Sequence, residues 1–309
     1  MSTTDPNDRR PTLTIGHSPD PDDAFMWWPL DGAIDTGRFR FRAVPEDIES
    51  LNRRAVERGD LDITAISMHT YALTHGRYAL TNSGASVGDG FGPKIVSAEP
   101  HGRAWLSTPG LTIAIPGERT TAFLATRLCI GREFGFVAMP FETIIDAVAD
   151  GSVDAGVIIH EGQLTYRDAG LSLIADLGAW WKQRTGLPLP LGANAIRRDL
   201  DDRFGAGSMR EVAGILGRSI EHALSHRDEG VAYAQRFARG LPAATTDEFI
   251  SMYVNDLTVD LGEVGARAVE RLLHDGARAG LCPDPGEIDL VFAQPRAESA
   301  GAPGKSIDR

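Results

Sequence analysis

The fold class follows from one stretch of the chain, LTIAIPGERTTAFLATRLCIGREFGFVAMPFETIIDAVADGSVDAGVIIH, residues 111–160. Apolar runs of strand length alternate in it with helical patterns, in the order strand, helix, strand, helix, strand: 111–116, 120–130, 134–140, 141–151 and 155–160. Strands and helices that alternate at these lengths are typical of parallel α/β sheets. The stretch therefore predicts an α/β unit whose last strand ends at His160.

A similar alternation of strands and helices precedes this stretch. The segments 13–18, 39–44 and 62–67 have the apolar or alternating patterns of strands. A helical pattern begins at Ile48 and stops at Gly59, a residue that commonly ends helices. The first third of the chain therefore predicts a second α/β unit.

A mainly helical pattern from Ser208 to Gly280 follows both units. We expect an α/β fold of two lobes with a ligand cleft between them, because open α/β sheets bind ligands beyond the carboxyl ends of their strands. The chain would cross between the lobes near residues 100–112 and 186–195. The expected bounds are a discontinuous first lobe, a second lobe and two flexible tails: 12–108 plus 193–290, 109–192, and 1–11 with 294–309.

The composition is that of an acidic globular protein. The 309 residues carry 31 Lys and Arg against 43 Asp and Glu, a formal net charge of −12. This charge argues against nucleic-acid binding, which needs clustered basic side chains. Cys129 and Cys282 are the only cysteines, too few for a disulfide framework or a cysteine-based zinc site. Because we find no membrane span of roughly 20 apolar residues and no signal-peptide pattern, we expect a cytoplasmic protein.

His160 ends an apolar strand, where a sheet of this kind presents functional groups. Histidine has an ordinary pKa of about 6.5 and suits general acid–base catalysis near neutral pH. A partly buried structural histidine would fit the same position, so both interpretations stay open. Glu161 either orients the imidazole or caps the following turn.

Thr120 and Thr121 begin a helix that follows a strand, and Ser67 occupies the equivalent position in the first unit. Hydroxyl groups and free backbone N–H groups at a helix N-terminus can bind a carboxylate or a phosphate. Alternatively, Thr120 only caps its own helix and Ser67 is only a turn hydroxyl. The spacing alone favours the capping interpretation of Thr120, while both interpretations of Ser67 stay open.

The segment HSPDPDD (17–23) places three aspartates after the first strand. Clustered carboxylates can bind a hard cation. Capping of a short helix near Ala24 by Asp22 or Asp23 explains them equally well. Since no second acidic cluster occurs at a definite spacing, we expect no metal site.

Other motifs leave the ligand open. Trp27–Trp28 and Trp180–Trp181 fit either the wall of a pocket for a flat ligand or ordinary core packing. The glycine-rich segment 84–93 contains no dinucleotide fingerprint, and the chain has no phosphate loop, zinc-protease motif or GxSxG elbow. The motifs therefore do not support a nucleotide-cofactor enzyme.

A long ordered series of segments resembles one known family, the 1,4-dihydroxy-6-naphthoate synthases of the futalosine route to menaquinone. The resemblance runs from about residue 13 to 280, and its longest part is VIIHEGQLTYRDAGLSLIADLGAWWKQRTGLPLPLGANAIRRDL (157–200). Further matches occur in the same order: EDIESLN (46–52), GDGFGP (88–93), IPGERTTAFL (115–124) and YVNDLTVDLGEVGARAV (253–269). Such a series is more specific than any single short motif.

The resemblance implies a two-lobed fold similar to type 2 periplasmic binding proteins, with the active site in the interlobe cleft. It implies a carbon–carbon lyase that converts cyclic dehypoxanthine futalosine, a small carboxylate, into 1,4-dihydroxy-6-naphthoate without a metal or organic cofactor. On the matching motifs, His160 would be the general base. The substrate-binding residues would be Ala65, Ile66, Ser67, Thr120 and Thr121.

Three positions depart from the family pattern. Asp20 stands in SPDPDD (18–23), where the family usually has SPCPND with a cysteine. Ala65 occupies a commonly cationic position, and Arg119 replaces a histidine before the paired threonines and would restore positive charge. Two alternatives therefore stay open: a solute-binding protein for a small anion, and an enzyme similar to the chorismate dehydratase of the same pathway.

Overall fold

The computed structural model describes residues 9–292, in which two β-sheets are flanked by helices. The strands are β1 (Thr12–His17), β2 (Arg40–Pro45), β3 (Ile63–Ser67), β4 (Tyr78–Thr81), β5 (Ser86–Gly88), β6 (Lys94–Ser97), β7 (Thr112–Ile115), β8 (Gly135–Ala138), β9 (Ala155–Ile158), β10 (Ser172–Asp176), β11 (Leu189–Arg197) and β12 (Leu290–Val291). The α-helices are α1 (Pro21–Trp27), α2 (Ile48–Glu57), α3 (Met68–Thr74), α4 (Thr121–Ile130), α5 (Ile144–Ala149), α6 (Gly162–Thr165), α7 (Leu177–Thr185), α8 (Leu200–Phe204), α9 (Ser208–Ser225), α10 (Arg227–Ala234), α11 (Ala243–Tyr253), α12 (Asp256–Val259) and α13 (Gly262–Arg278). Most of the expected tails, 1–8 and 293–309, lie outside the described residues.

Each lobe is built on one sheet. The larger sheet has seven strands in the order β12-β4-β11-β3-β1-β2, with β5 paired to β11, and the smaller has five in the order β10-β6-β9-β7-β8. The expected two-lobed α/β class is confirmed. The expected parallel pairing is confirmed for the strands that led to it, since β1 pairs parallel with β2 and β3, and β7 pairs parallel with β8 and β9. Both sheets are nevertheless mixed, because β11 runs antiparallel to β3, β4 and β5, and β6 runs antiparallel to β9 and β10. Both strands follow a chain crossing and enter their sheet against the direction of its other strands.

The chain crosses between the sheets at two connections that touch each other. It leaves the larger sheet after β5, enters the smaller sheet at β6, and returns between β10 and β11. The Leu177 N–H donates a hydrogen bond to the Pro93 carbonyl oxygen at 2.9 Å. A Cβ atom at Gly178 would lie 1.8 Å from the Phe91 carbonyl oxygen, so this approach requires glycine.

The expected lobe boundaries are therefore wrong in two places. Strand β6 belongs to the smaller sheet, although residues 12–108 were expected in the first lobe. Strand β11 begins at Leu189 in the larger sheet, although residues 109–192 were expected in the second lobe. The sequence pattern did not predict this strand because proline disfavours a regular strand. Pro190 is tolerated in β11 because the pairing with β5 is irregular between Pro190 and Gly192.

One hydrophobic core joins the two lobes. Its buried members come from both sheets and from the helices around them, including Ile66 of β3, Ile113 of β7 and Trp181 of α7. Trp180 belongs to this core as well, and Trp27 belongs to a second core around α1 and α9. Of the two interpretations of the tryptophan pairs, core packing is therefore confirmed.

Helix α1 begins at Pro21, earlier than the predicted start near Ala24. Proline is favourable in the first turn of a helix, where the backbone N–H would have no partner. Asp20 occupies the N-cap position without a side-chain capping bond, and Asp22 and Asp23 lie in the first turn. Capping by Asp22 or Asp23 is therefore wrong, and these carboxyl groups make other contacts. No helix in the described part of the chain is long and apolar enough to span a lipid bilayer.

Candidate active site

A cavity of about 120 Å³ lies between the two lobes. Its walls come from residues that follow β1, β3 and β9, from the N-terminus of α4 and from β11. This place agrees with the rule that α/β sheets bind ligands beyond the carboxyl ends of their strands. All six residues predicted for the site line the cavity: Ala65, Ile66, Ser67, Thr120, Thr121 and His160.

The imidazole of His160 is held at one nitrogen and free at the other. Its Nδ1 lies 3.0 Å from Oδ2 of Asp20, which belongs to the other lobe. Its Nε2 is buried and has no hydrogen-bond partner within residues 9–292. The Phe141 ring packs against it at a centroid distance of 4.5 Å. An imidazole whose Nδ1–H is bound to a carboxylate presents the Nε2 lone pair, as a general base requires.

In addition to its contact with His160, Asp20 accepts hydrogen bonds from two groups. The Ser18 hydroxyl donates to Oδ2, and Nη2 of Arg239 donates to Oδ1 at 2.9 Å. Nη1 of Arg239 donates to Oε1 of Glu161 at 2.7 Å. Glu161 makes no capping bond to the turn that follows it. Both expected roles of Glu161 are therefore wrong: Asp20 holds the imidazole, and Glu161 pairs with Arg239.

Asp22 and Asp23 are buried beside Asp20 and line the same cavity. Burial, together with repulsion from Asp23 and Asp20, raises the pKa of Asp22 well above its usual range. Burial and repulsion from Asp20 raise the pKa of Asp23 to about 7, although the Ser18 N–H bond to its carboxylate acts in the opposite direction. Both groups therefore retain protons at higher pH than exposed aspartates do. Within residues 9–292, no group of three or more His, Cys, Asp or Glu could hold a metal ion.

Positive side chains are absent from the part of the cavity wall that the structure describes. Arg119 was expected to supply positive charge beside Thr120, but it lines an adjacent groove with Glu49 and Phe141, so this expectation is wrong. Its backbone is fixed there, because its N–H donates to Oε2 of Glu49 at 3.2 Å and its carbonyl accepts from the Thr70 hydroxyl at 2.8 Å. An anion in the cavity would therefore be held by hydroxyl and backbone N–H groups.

Thr120 and Thr121 stand at the N-terminus of α4. Oγ1 of Thr120 accepts from the Phe123 N–H at 3.2 Å, and the same hydroxyl donates to the Gly117 carbonyl at 2.8 Å. The capping interpretation of Thr120 is confirmed. The Thr121 hydroxyl donates to the Leu191 carbonyl at 2.5 Å, across the lobes. What α4 offers a ligand is therefore the positive end of its dipole and the backbone N–H groups of its first turn.

Ser67 lies where β3 ends and α3 begins. Nδ2 of Asn52 donates to Oγ of Ser67 at 3.0 Å, and Oδ1 of Asn52 accepts from the Ser67 N–H at 2.9 Å. Because the Ser67 oxygen accepts this bond, its hydroxyl hydrogen can point to a ligand. Ala65 and Ile66 contribute apolar surface to the same wall.

Gln163, Asn194 and Tyr253 are among the further polar residues that line the cavity and were not singled out in the sequence. Asn194 donates to the Gly84 carbonyl at 3.0 Å, while its Oδ1 is buried with no partner in the described chain. The Tyr253 hydroxyl donates to Oε1 of Gln163 at 2.9 Å, from one lobe to the other. All three lie within the segments that carry the family resemblance, which was the available signal. Hydrophobic periodicity could not find them, because they come from separate elements of both lobes.

Known proteins with similar sequences belong to one biosynthetic route. A family model described as menaquinone biosynthesis matches residues 13–278. The 1,4-dihydroxy-6-naphtoate synthase of Thermus thermophilus is 39% identical over 269 residues, which are 87% of this chain and 95% of that protein. The protein of the same name from Streptomyces coelicolor is 36% identical over 286 residues, 91% of this chain and 98% of that protein.

Solved structures show the same fold. A protein from Archaeoglobus fulgidus has a TM-score of 0.79 and 42% identity, covering 87% of this chain and 98% of its own. The alkanesulfonate-binding protein SsuA from Xanthomonas axonopodis has a TM-score of 0.66 at 15% identity, covering 90% of this chain and 97% of its own. The fold is thus similar to that of periplasmic binding proteins. By its sequence match along most of its length, the chain belongs to the menaquinone biosynthesis family.

Proposed function

We propose that this chain is a cytoplasmic carbon–carbon lyase that converts cyclic dehypoxanthine futalosine into 1,4-dihydroxy-6-naphthoate. The names of the relatives support this product, and the family resemblance supports the substrate. One observation favours catalysis over binding alone. The Nε2 atom of His160 is buried with no partner in residues 9–292, while Nδ1 is bound to Asp20.

Two clusters of polar groups in the cavity suit the two parts of this substrate. Asn52 links the first cluster, because its Nδ2 contacts Oγ of Ser67 at 3.0 Å and the Arg119 carbonyl, next to the start of α4, at 3.4 Å. We assign the substrate carboxylate to the Ser67 hydroxyl and the N-terminus of α4. The second cluster contains His160, Asp22 and Asp23, and the two carboxyl groups can accept hydrogen bonds from the hydroxyls of the sugar-derived part.

In the proposed reaction, His160 acts first. Its Nε2 takes a proton from a substrate carbon, and the released electron pair drives cleavage of the carbon–carbon bond to the sugar-derived part. Loss of that part leaves the ring aromatic, and the imidazolium returns its proton to the departing fragment. A general base must lie within hydrogen-bond reach of the proton that it removes, which the position of His160 in the cavity wall allows.

Closure of the lobes would exclude water and fix the substrate against the imidazole. Besides the Asp20–His160 ion pair, further hydrogen bonds and ion pairs join the lobes around the cavity. Tyr253 bonds Gln163 at 2.9 Å, Arg239 bonds Glu161 at 2.7 Å, and Thr121 bonds a carbonyl of β11 at 2.5 Å. We propose that these contacts break to admit the substrate and form again around it.

Product analysis tests this function directly. The purified protein is incubated separately with cyclic dehypoxanthine futalosine and with chorismate, and the products are identified by mass spectrometry. We expect 1,4-dihydroxy-6-naphthoate from the first compound and unchanged chorismate from the second. Dehydration of chorismate would instead favour the dehydratase-like alternative. Tight binding of a small anion without turnover of either compound would favour the solute-binding alternative, which the same fold serves.

A further inference from the structure

The carboxyl group of Asp20 is the meeting point of both lobes at the site. It is almost fully buried, with 1% of the side chain exposed. It lies 3.0 Å from Nδ1 of His160 in the smaller-sheet lobe, and it accepts hydrogen bonds from the Ser18 hydroxyl and from Nη2 of Arg239 in its own lobe. Polar groups from both lobes therefore meet at one buried carboxyl group.

We infer that Asp20 is a positioning residue that holds the imidazole of His160, from the opposite lobe, with a proton on Nδ1 and a free lone pair on Nε2. This inference rests on the proposed function in so far as His160 is the base. Which ring nitrogen carries the proton is set by the hydrogen bond that the other nitrogen makes. The buried Nε2, with no partner in residues 9–292, is the free position that this bond creates.

Backbone conformation gives independent support. Within residues 9–292, the non-glycine residues with φ in the left-handed region are His160 at 53° and Arg239 at 48°. Both contact Asp20. Non-glycine residues in such backbone conformations are strained and persist where surrounding contacts enforce them, often at active sites. Both non-glycine residues with this strained backbone in the described chain, His160 and Arg239, therefore contact the Asp20 carboxylate.

The other charged groups around the imidazole leave Asp20 as its direct partner. Glu161 is occupied by Arg239 at 2.7 Å, and the Arg239 guanidinium lies over the Phe141 ring at 4.9 Å. Asp22 and Asp23, in the first turn of α1, line the same cavity as the imidazole. The ion pair at 3.0 Å belongs to Asp20.

This arrangement is a property of this chain's SPDPDD segment (18–23). The family pattern has a cysteine at the position of Asp20. A thiol is a weak acceptor and a weak donor, whereas a carboxylate accepts strong hydrogen bonds. The replacement of this cysteine by Asp20 therefore has a structural consequence: a carboxylate lies next to the imidazole of the proposed base, His160.

The test compares Asp20→Asn with the control Asp31→Asn, a change of the same type at an exposed position. We expect Asp20→Asn to lower kcat roughly 10²–10⁴-fold, the upper end being the effect of the same change in a serine-protease triad. KM should change less than about threefold, since binding groups remain. Asp31→Asn should match the wild type.

A second measurement needs no turnover. Nitrogen-15 NMR of the ligand-free protein, with the His160 signal assigned from its loss in His160→Asn, reports which ring nitrogen carries the proton. We expect protonation at Nδ1 in the wild type and a redistribution in Asp20→Asn. If Asp20→Asn does not fold, Asp20→Cys, the residue of the family pattern, removes the same charge and carries the test.

The outcomes separate the two proposals. If Asp20→Asn keeps kcat within about twofold of the wild type, or leaves the tautomer unchanged, the positioning role is overturned while the proposed function stands. If the wild type forms no naphthoate, or His160→Asn retains full turnover, the proposed function fails, and the NMR result alone decides whether Asp20 orients the ring.

Discussion

Burial of Asp23 predicts that the protein loses stability as pH rises. Its pKa is raised from 3.8 to about 7 by burial and by repulsion from Asp20. The folded state therefore binds more protons than the unfolded state between these two values. For a group whose folded pKa is raised, the stabilisation is fully present below the unfolded pKa and is lost as pH rises through the folded pKa. The window for Asp23 thus runs from about pH 4 to about pH 7.

The size of the effect follows from the two pKa values. A shift of roughly three units, at about 1.4 kcal/mol per unit, sets an upper limit of about 4 kcal/mol. Between pH 5 and pH 8, Asp23 alone should lower the free energy of unfolding by about 2–3 kcal/mol. Replacement by Asn removes this term and keeps an oxygen that can accept the Ser18 N–H bond, now 2.7 Å long. Because Asp23 also repels Asp22, the replacement lowers the pKa of Asp22 and acts in the same direction.

Urea denaturation at pH 5, 6, 7 and 8 measures this effect in the ligand-free protein. We expect the free energy of unfolding of the wild type, relative to Asp23→Asn, to fall by about 2–3 kcal/mol across this range. The exposed control Asp31→Asn should run parallel to the wild type. If the curves of wild type and Asp23→Asn are parallel from pH 5 to pH 8, the buried protonated carboxyl is refuted.

Three further predictions concern helix capping and the contacts between the lobes. Thr120→Ala removes the N-cap of α4 and should lower the free energy of unfolding by about 1 kcal/mol; an unchanged urea midpoint would contradict this. Tyr253→Phe leaves the buried Gln163 oxygen unpaired and should lower the same quantity by about 1–3 kcal/mol, whereas equal stability of the variant and the wild type would show that the bond does not matter. Gly178→Ala forces a Cβ atom to 1.8 Å from a carbonyl oxygen of the first connection, so it should not accumulate as folded protein; Gly76→Ala, with nothing within 4 Å, is the control, and a Gly178→Ala yield equal to the control's would refute the close approach.

The sequence located the candidate base and the binding loops because they obey one general rule. His160, Ser67 and the start of α4 all follow strands, and the carboxyl ends of strands meet at the same place in an α/β fold. The local sequence pattern was therefore enough to predict where these residues lie. The cavity brings these residues together as that rule predicts.

The partner of His160 could not be predicted from local pattern. Asp20 follows β1 and reaches His160 only because the two lobes close on each other. Residues far apart in one sequence give no spacing signal for such a contact. Glu161, which directly follows His160, was the local candidate for the group that orients the imidazole. In the structure, Glu161 instead forms an ion pair with Arg239 from the helical C-terminal third.

The lobe boundaries were missed for a similar reason. Strand β6 directly follows the glycine-rich connection, and its side in the fold depends on pairing with β9 and β10. Strand β11 contains Pro190, which disfavours a regular strand and is accommodated by an irregular pairing. Pairing partners are set by tertiary contacts, which periodicity does not report.

In the proposed reaction, the imidazole of His160 removes a proton from cyclic dehypoxanthine futalosine in the interlobe cavity. The most direct measurement is the kcat of His160→Asn beside the exposed control His226→Asn, with the product quantified by mass spectrometry. Asparagine tolerates the left-handed conformation, φ 53°, that residue 160 adopts, so the variant should fold. We expect the naphthoate to form about 10²–10⁴ times more slowly, with the control unchanged. A folded His160→Asn protein that forms the naphthoate at the wild-type rate would show that His160 is not the general base.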